Sequence, residues 1–173
     1  MTEPSVLLRD AVPADGPALA AMARRCFAET FGTLYRASDL AAFLDEAFGA
    51  AGLPAQLDDP AYAVRLAEAD AAIIGYAKIG PVGFPGDWGD DAFELHQLYV
   101  LGPWQGSGVA ARLMDWAIAG ARAHGARRLV LSVYIDNHRA QRFYARYGFR
   151  EVGRYGFRVG EQLDDDRIWS LDL

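Results

Sequence analysis

Cysteine, long apolar runs and a recognisable targeting segment are what this chain of 173 residues lacks. Cys26 is its only cysteine, so no internal disulfide can form, and its place in a helical pattern favours a small buried thiol. No stretch of about eighteen uncharged apolar residues occurs, which argues against a membrane-spanning helix and a membrane partner. The segment MTEPSVLLRD lacks the basic and apolar regions of a secretory signal. We therefore expect a cytoplasmic protein.

Long basic runs are also absent, which disfavours general nucleic-acid binding. The net charge of −6 is unevenly shared, because residues 1–100 carry −9 and residues 101–173 carry +3. The basic part would attract an anionic ligand and the acidic part a cationic one, although such charges can also serve only as a solvated surface. With 52% apolar residues the chain can bury a real core, and we assign residues 1–173 to a single domain.

The most informative segment is residues 95–110, LHQLYVLGPWQGSGVA, where an apolar strand meets a glycine-rich turn and a helical pattern follows. Such a turn aims backbone N–H groups and the positive end of a helix at one point, which suits phosphate groups. Neither the Walker pattern nor the dinucleotide-binding pattern fits these glycines. Taken alone, Gly106 and Gly108 are equally consistent with a tight strand-to-helix connection.

Two sequence blocks together resemble the GNAT family of N-acetyltransferases. The first, Gln105-x-x-Gly108-x-Ala110 after a strand ending Leu98-Tyr99-Val100, is similar to the acyl-CoA pyrophosphate loop of that family. The second block matches the other signature of the family at Asn137, Ala140, Phe143, Tyr144, Gly148 and Phe149. The blocks have the order and spacing of the family, and the resemblance covers essentially the whole chain.

The resemblance implies an α/β fold with a mixed sheet of about seven strands, splayed at the fourth strand, and about four helices. Hydrophobic periodicity is compatible with that order. It predicts strands at 6–9, 62–68, 71–79, 92–100, 128–134, 149–154 and 167–173. It predicts helices after Asp15 as N-cap, over 39–48 after Ser38 as N-cap, from Val109 to near Gly125, and over 137–147, with loops at 49–60 and 80–91.

The resemblance further implies acetyl-CoA as co-substrate and no metal. The residues that it places against acetyl-CoA are Leu98, Tyr99, Val100, Gln105, Gly106, Ser107, Gly108, Val109, Ala110, Asn137, Ala140 and Tyr144. Tyr144 is the candidate general acid, because a phenol is protonated at neutral pH and can donate to a thiolate. Relatives often have a lysine where Ser107 stands, so one charge contact to the pyrophosphate would be missing here. The candidates to replace it are Arg112, Arg139, Arg142 and Arg146, which could instead be only solvated residues on helix faces.

A base is expected because alkylamines are protonated near neutral pH. Strand alternation predicts that Glu94, His96, Leu98 and Val100 share one face. Counted back from Gln105, Glu94 falls where histone acetyltransferases carry a glutamate base, and His96 where arylalkylamine acetyltransferases carry a histidine. Glu94 could instead form an ion pair and His96 a structural hydrogen bond. Whether Glu94, His96 or a water relay is the base stays open.

The segment FAETFGTLYRASDLAAFLDEAF resembles the polyamine (spermine/spermidine) acetyltransferase branch of the family. It implies a small cationic amine as acceptor and is consistent with a homodimer. The residues expected around the acceptor are Glu29, Phe31, Tyr35, Asp45, Glu46 and Glu94. Two other functions stay open: acetylation of a protein N-terminus or lysine, which needs an open groove, and an acyl-CoA-binding sensor without turnover.

Overall fold

A mixed seven-stranded sheet forms the centre of the fold. The computed structural model describes residues 5–173. The strands are β1 Leu7–Asp10, β2 Ala63–Ala69, β3 Ala72–Gly80, β4 Ala92–Val100, β5 Arg128–Tyr134, β6 Arg150–Val159 and β7 Gln162–Asp172, in the spatial order β1-β2-β3-β4-β5-β7-β6. Neighbouring strands are antiparallel except β4 and β5, which run parallel. The predicted α/β mixed sheet is confirmed.

Helices cover both faces of this sheet. They are α1 Gly16–Phe31, α2 Ala37–Phe48, α3 Leu53–Gln56, α4 Val109–Ala123 and α5 His138–Tyr147. One buried cluster joins α1 and α2 to β2 and β3, and a second joins α4 to β3, β4 and β5, with α5 packed beside it. Only α3 is as short as a single turn, so the expectation of four longer helices is confirmed. Within residues 5–173, no helix combines the length and apolarity needed to cross a bilayer.

Two helix starts differ from the sequence prediction. Asp15 precedes α1, but its carboxylate accepts the N–H of Val12 at 2.7 Å and pairs with Arg9 at 2.8 Å, so it caps no amide of α1. Helix α2 begins at Ala37, which places Ser38 inside its first turn. The predicted loop at 49–60 also contains α3, because one helical turn is too short to show a period.

The closing hairpin is longer than the sequence predicted. Strands β6 and β7 pair from Arg150 to Val159 and turn at Gly160, whose φ of +56° lies in the left-handed region. The prediction stopped at residue 154 and resumed at 167, because the intervening positions are rich in glycine and charge and show little apolar alternation. The extension matters because its inner face reaches the functional cleft.

Strands β4 and β5 pair only over Ala92–Glu94 and then diverge, as the predicted splay requires. A bulge also interrupts the pairing of β3 with β4, because Lys78 pairs with Gln97 and Ile79 pairs with Leu95. Leu95, Leu98 and Val100 all pack into the cluster around α4. The prediction that Leu98 and Val100 share a face with Glu94 is therefore wrong, since the bulge adds one residue to the alternation.

Candidate active site

A cleft of about 920 Å³ opens where β4 and β5 diverge. Its walls come from both strands, the turn before α4, the inner side of α5, the end of α1 and the β6–β7 hairpin. The cleft brings together the predicted residues Glu29, Phe31, Tyr35, His96, Leu98, Tyr99, Val100, Gln105, Gly106, Gly108, Ala110, Asn137, Ala140 and Tyr144. The predicted residues outside its lining are Asp45, Glu46, Glu94, Ser107 and Val109.

The glycine-rich turn presents free backbone to this cleft. Gly106 and Gly108 have φ values of +82° and +85°, and a Cβ built on either would meet no atom within 4 Å. Glycine is needed there for the left-handed backbone rather than for close packing, and the space beside it is open. Helix α4 begins at Val109, so its first amides lack partners within the helix. The turn therefore offers the amides and open space that an anion needs.

The set of available amides is narrower than the predicted run from 105 to 110. The N–H of Gln105 donates to the Gly102 carbonyl at 3.1 Å, and the N–H of Ser107 donates to the Trp104 carbonyl at 3.3 Å. The Ser107 hydroxyl also donates to Trp104, at 2.5 Å. Because Gln105 and Ser107 use their amides inside the turn, only the other amides of this segment remain for a ligand.

Gln105 ties the turn to its surroundings through its side chain. Its amide nitrogen donates to the Val100 carbonyl at 3.0 Å, and its amide oxygen accepts from Arg139. Arg139 lines the cleft, as do Arg142 and Arg146 on the same helix. Arg112 instead donates to the Val6 carbonyl at 3.1 Å and lies outside the lining. Three of the four candidate arginines thus lie where an anionic ligand would meet them.

Helix α5 carries the candidate general acid. Asn137 caps the helix by accepting the Ala140 N–H at 3.2 Å, which leaves its amide nitrogen free to donate. The Tyr144 phenol lines the cleft, and burial raises its pKa to about 12. It is therefore protonated at neutral pH. Tyr147 instead donates to the Ala111 carbonyl at 3.1 Å and so ties α5 to α4.

Glu94 and His96 contact each other beside the cleft, but only His96 lines it. Their nearest atoms, Glu94 Oε1 and His96 Nδ1, are 3.4 Å apart. The other carboxylate oxygen accepts the Gly83 N–H at 2.7 Å. Lys78 is buried nearby, donates to Gln56 at 2.5 Å, and lies with its ammonium 5.3 Å from the centre of the Tyr62 ring.

Burial sets the protonation of this cluster. It raises the pKa of Glu94 to about 7, lowers the pKa of His96 to about 4, and lowers the pKa of Lys78 to about 8. His96 is therefore neutral at pH 7. Its Nε2 lies 2.9 Å from the Pro81 carbonyl, which can only accept, so Nε2 carries the ring proton and Nδ1 faces Glu94 as an acceptor. Because Nδ1 can only accept, Glu94 and His96 can form a hydrogen bond only when Glu94 is protonated and donates.

The end of α1 supplies aromatic and acidic groups to the opposite side of the cleft. Phe31 packs edge-on against Tyr134 with ring centres 6.5 Å apart, and Tyr35 donates to the buried carboxylate of Asp164. Glu29 lines the cleft while paired with Arg25 at 2.7 Å. The prediction that Asp45 and Glu46 lie around the acceptor is wrong, because both residues are on the exposed side of α2. Cys26 is buried as predicted, and burial raises its pKa to about 11.

Sequence reasoning missed Asp164 and Asp166, two buried carboxylates of β7 that line the cleft. The signal was present as the run DDD at 164–166, since alternate residues of a strand share a face. Burial raises the pKa of Tyr99 above its usual range, and charge on Tyr144 or Asp166 would raise it further. Tyr99 lines the same cleft as Tyr144 and these two carboxylates.

A mixed sheet splayed at its fourth strand, with a glycine-rich turn and a phenol at the splay, defines an acyl-group transferase. The model of the acetyltransferase (GNAT) family matches residues 19–149. The chain belongs to this family and is an N-acetyltransferase.

Relatives and solved structures agree with this assignment. The chain is 36% identical over 159 residues to an uncharacterized N-acetyltransferase of Mycobacterium tuberculosis, covering 92% of this chain and 98% of the relative. It is 32% identical over 100 residues to the aminoalkylphosphonate N-acetyltransferase of Salmonella typhimurium, covering 58% and 64%. The PaiA N-acetyltransferase of Thermoplasma acidophilum, solved with coenzyme A, superimposes with a TM-score of 0.78 over 98% and 99% of the chains. At 18% identity this likeness shows the fold alone.

Proposed function

We propose that the protein transfers the acetyl group of acetyl-CoA to a primary amine of a small cationic acceptor. The observation that carries this proposal is the shared cleft, in which the free amides before α4 and the Tyr144 phenol lie at one splay of the sheet. The residues fit acetyl-CoA. Left-handed glycines with open space beside them suit a pyrophosphate, and Arg139, Arg142 and Arg146 suit its charge.

The reaction needs one bond made and one broken. The neutral amine attacks the thioester carbonyl carbon, the carbon–sulfur bond breaks, and the thiolate leaves with the bonding electrons. Tyr144 donates a proton to that thiolate, because its phenol is protonated, and it regains a proton from the attacking nitrogen, which becomes the amide N–H. Asn137 and the β4 segment Leu98–Val100 hold the pantetheine arm, since the side of β4 that faces β5 has no paired strand beyond Glu94.

Glu94 and His96 act together as the base. With a pKa near 7, Glu94 is ionised in a large part of the molecules at neutral pH and can then take one proton from the acceptor ammonium. His96 lines the cleft beside Glu94 and both of its ring nitrogens already have partners, so the proton passes to Glu94 by a water beside the ring. Glu94 itself lies outside the lining, which supports a proton-accepting role over direct binding of the acceptor.

The cationic nature of the acceptor is supported by the acidic wall of the cleft. Glu29, Asp164 and Asp166 line it together with Phe31 and Tyr35. Carboxylates beside aromatic rings attract ammonium groups and repel anions. Polyamines are therefore the first acceptors to test, and an aminoalkylphosphonate is expected to be a poor one.

A coenzyme A release assay across polyamines, simple amines, an aminoalkylphosphonate and peptides tests this proposal. We expect that only small cationic amines raise coenzyme A release above the rate measured without an acceptor. Release with peptides alone would indicate a protein acetyltransferase instead. Binding of acetyl-CoA without release for any acceptor would indicate a sensor. The homodimer implied by the branch resemblance stays a prediction, which light scattering can measure.

A further inference from the structure

Asp164 and Asp166 put two buried carboxylates on one wall of the cleft, each with 6% of its surface exposed. They lie on the same face of β7. Within residues 5–173 neither forms an ion pair. The adjacent Arg167 points to the other face, where it pairs with Asp165 at 3.0 Å and Glu151 at 3.1 Å. Buried carboxylates without a counter-charge are costly, so their retention calls for a cause.

Neutral groups donate hydrogen bonds to this pair of carboxylates. Asp164 accepts hydrogen bonds from the Tyr35 hydroxyl and, at 2.8 Å, from the Gln162 amide. The Ser132 hydroxyl is the neighbour that favours ionised Asp166, yet burial dominates and raises the pKa of Asp166 to about 7. None of these donors carries a positive charge. The pair therefore lacks a cation, and the open side of the pair is the cleft.

Aromatic rings surround the same position. Asp166 lies opposite Tyr134 on β5 and Asp164 lies opposite Phe157 on β6, and both of these rings line the cleft. Ring faces beside carboxylates suit an organic ammonium, which gains from cation–π contact and loses little hydration. No group of three or more His, Cys, Asp or Glu side chains suited to a metal ion occurs within the described part of the chain. The surroundings thus favour an alkylammonium group over a metal ion.

We propose that Asp164 and Asp166, with Tyr35, bind a second ammonium group of the acceptor, so that the substrates are diamines or longer amines with two positive charges. The inference rests on the proposed function and goes beyond it, because acetyl transfer requires only one amine. The reacting amine lies between the Glu94–His96 pair and Tyr144. The second amine stays protonated against β7 and fixes the position of the first.

The contribution of the second amine can be measured with two acceptors that have the same four-carbon chain. Diaminobutane and butylamine share the reacting group, and only diaminobutane can place an ammonium at the β7 carboxylates. We expect kcat/KM to be at least about tenfold higher for diaminobutane, as the loss of one partner of a buried charge pair implies. Asp166→Asn and Asp164→Asn should bring this ratio close to one. Asp165→Asn, the same change on the opposite face of the strand, should keep it.

The ratio also shows when the inference is wrong. A wild-type ratio near one, a ratio unchanged in Asp166→Asn, or an equal loss for both acceptors would each overturn the second-ammonium site. Glu94→Gln should lower both rates and keep the ratio. If no amine supports coenzyme A release, the proposed function fails, and calorimetry of diaminobutane against the coenzyme A-saturated protein decides the inference separately. Binding lost in Asp166→Asn supports it, and no binding to the wild type overturns it.

Discussion

Tyr144 is the residue on which the chemical step depends most directly. Tyr144→Phe keeps the ring and removes only the hydroxyl, so the variant should fold, bind acetyl-CoA and lose roughly 10²-fold or more in kcat. Steady-state rates with the best acceptor measure this. Tyr147→Phe is the matched control, since its hydroxyl only contacts α4. Turnover near the wild-type value in Tyr144→Phe would leave protonation of the thiolate to water.

Glu94 should govern the pH dependence of the rate. Its pKa of about 7 lies above the usual value, so the base is lost as pH falls through 7 and is present above it. The wild-type kcat/KM should rise through that range. Glu94→Gln should lose most activity near neutral pH and recover partly at high pH, where free amine is abundant.

His96→Ala separates the two members of the pair. We expect a milder defect than in Glu94→Gln, because the ring borders the path of the proton and both of its nitrogens are engaged, and an equal defect would show that the ring itself accepts the proton. A Glu94→Gln variant with the pH profile of the parent would remove Glu94 from the mechanism. A loss by one factor at every pH would indicate acceptor binding instead.

At the scale of elements, the turn before α4 should control cofactor affinity. Gly108→Asp places a carboxylate on a left-handed backbone position beside the free amides, so it should abolish acetyl-CoA binding through strain and repulsion. Calorimetry of the folded variant measures this. Gly125→Asp is the matched control, because Gly125 has a φ of +82°, close to the +85° of Gly108, and open surroundings at the far end of α4. Unchanged affinity in Gly108→Asp would contradict the site.

Elements with a clear apolar period could be predicted from the sequence. Strand β4 and the starts of α4 and β5 lie at the predicted residues. The bulge at His96 could not be predicted, because it depends on how β3 pairs with β4. The inner face of β7 was missed for a related reason: Asp164 and Asp166 are polar in sequence, and their burial depends on tertiary contacts such as the hydrogen bond from Tyr35 to Asp164.

At the scale of the whole molecule, the buried carboxylate of Asp166 should lower the free energy of unfolding. The pKa of Asp166 is raised from 3.8 to about 7, so the folded protein retains a proton that the unfolded chain releases between those values. Stability of the wild type relative to Asp166→Asn should therefore fall as pH rises from about 4 to 7. At pH 8 the variant should be more stable by roughly 1 to 4 kcal/mol.

Chemical denaturation at pH 4 and pH 8 measures that difference. Asp165→Asn, whose carboxylate is about half exposed and paired with Arg167, should show no comparable change with pH. If the difference in the free energy of unfolding between Asp166→Asn and the wild type stays constant with pH, burial does not raise the pKa of this carboxylate.

The buried position of Lys78 should protect the enzyme from acetylation of its own side chains. It is the single lysine of the chain, 5% exposed, and all other basic side chains apart from three histidines are arginines. Guanidinium groups stay protonated and do not attack thioesters. Apart from its α-amino group, the protein therefore presents no exposed primary amine to the acyl donor. Intact mass spectrometry after prolonged exposure to acetyl-CoA should detect at most one added acetyl group, and a second addition would show that Lys78 becomes exposed.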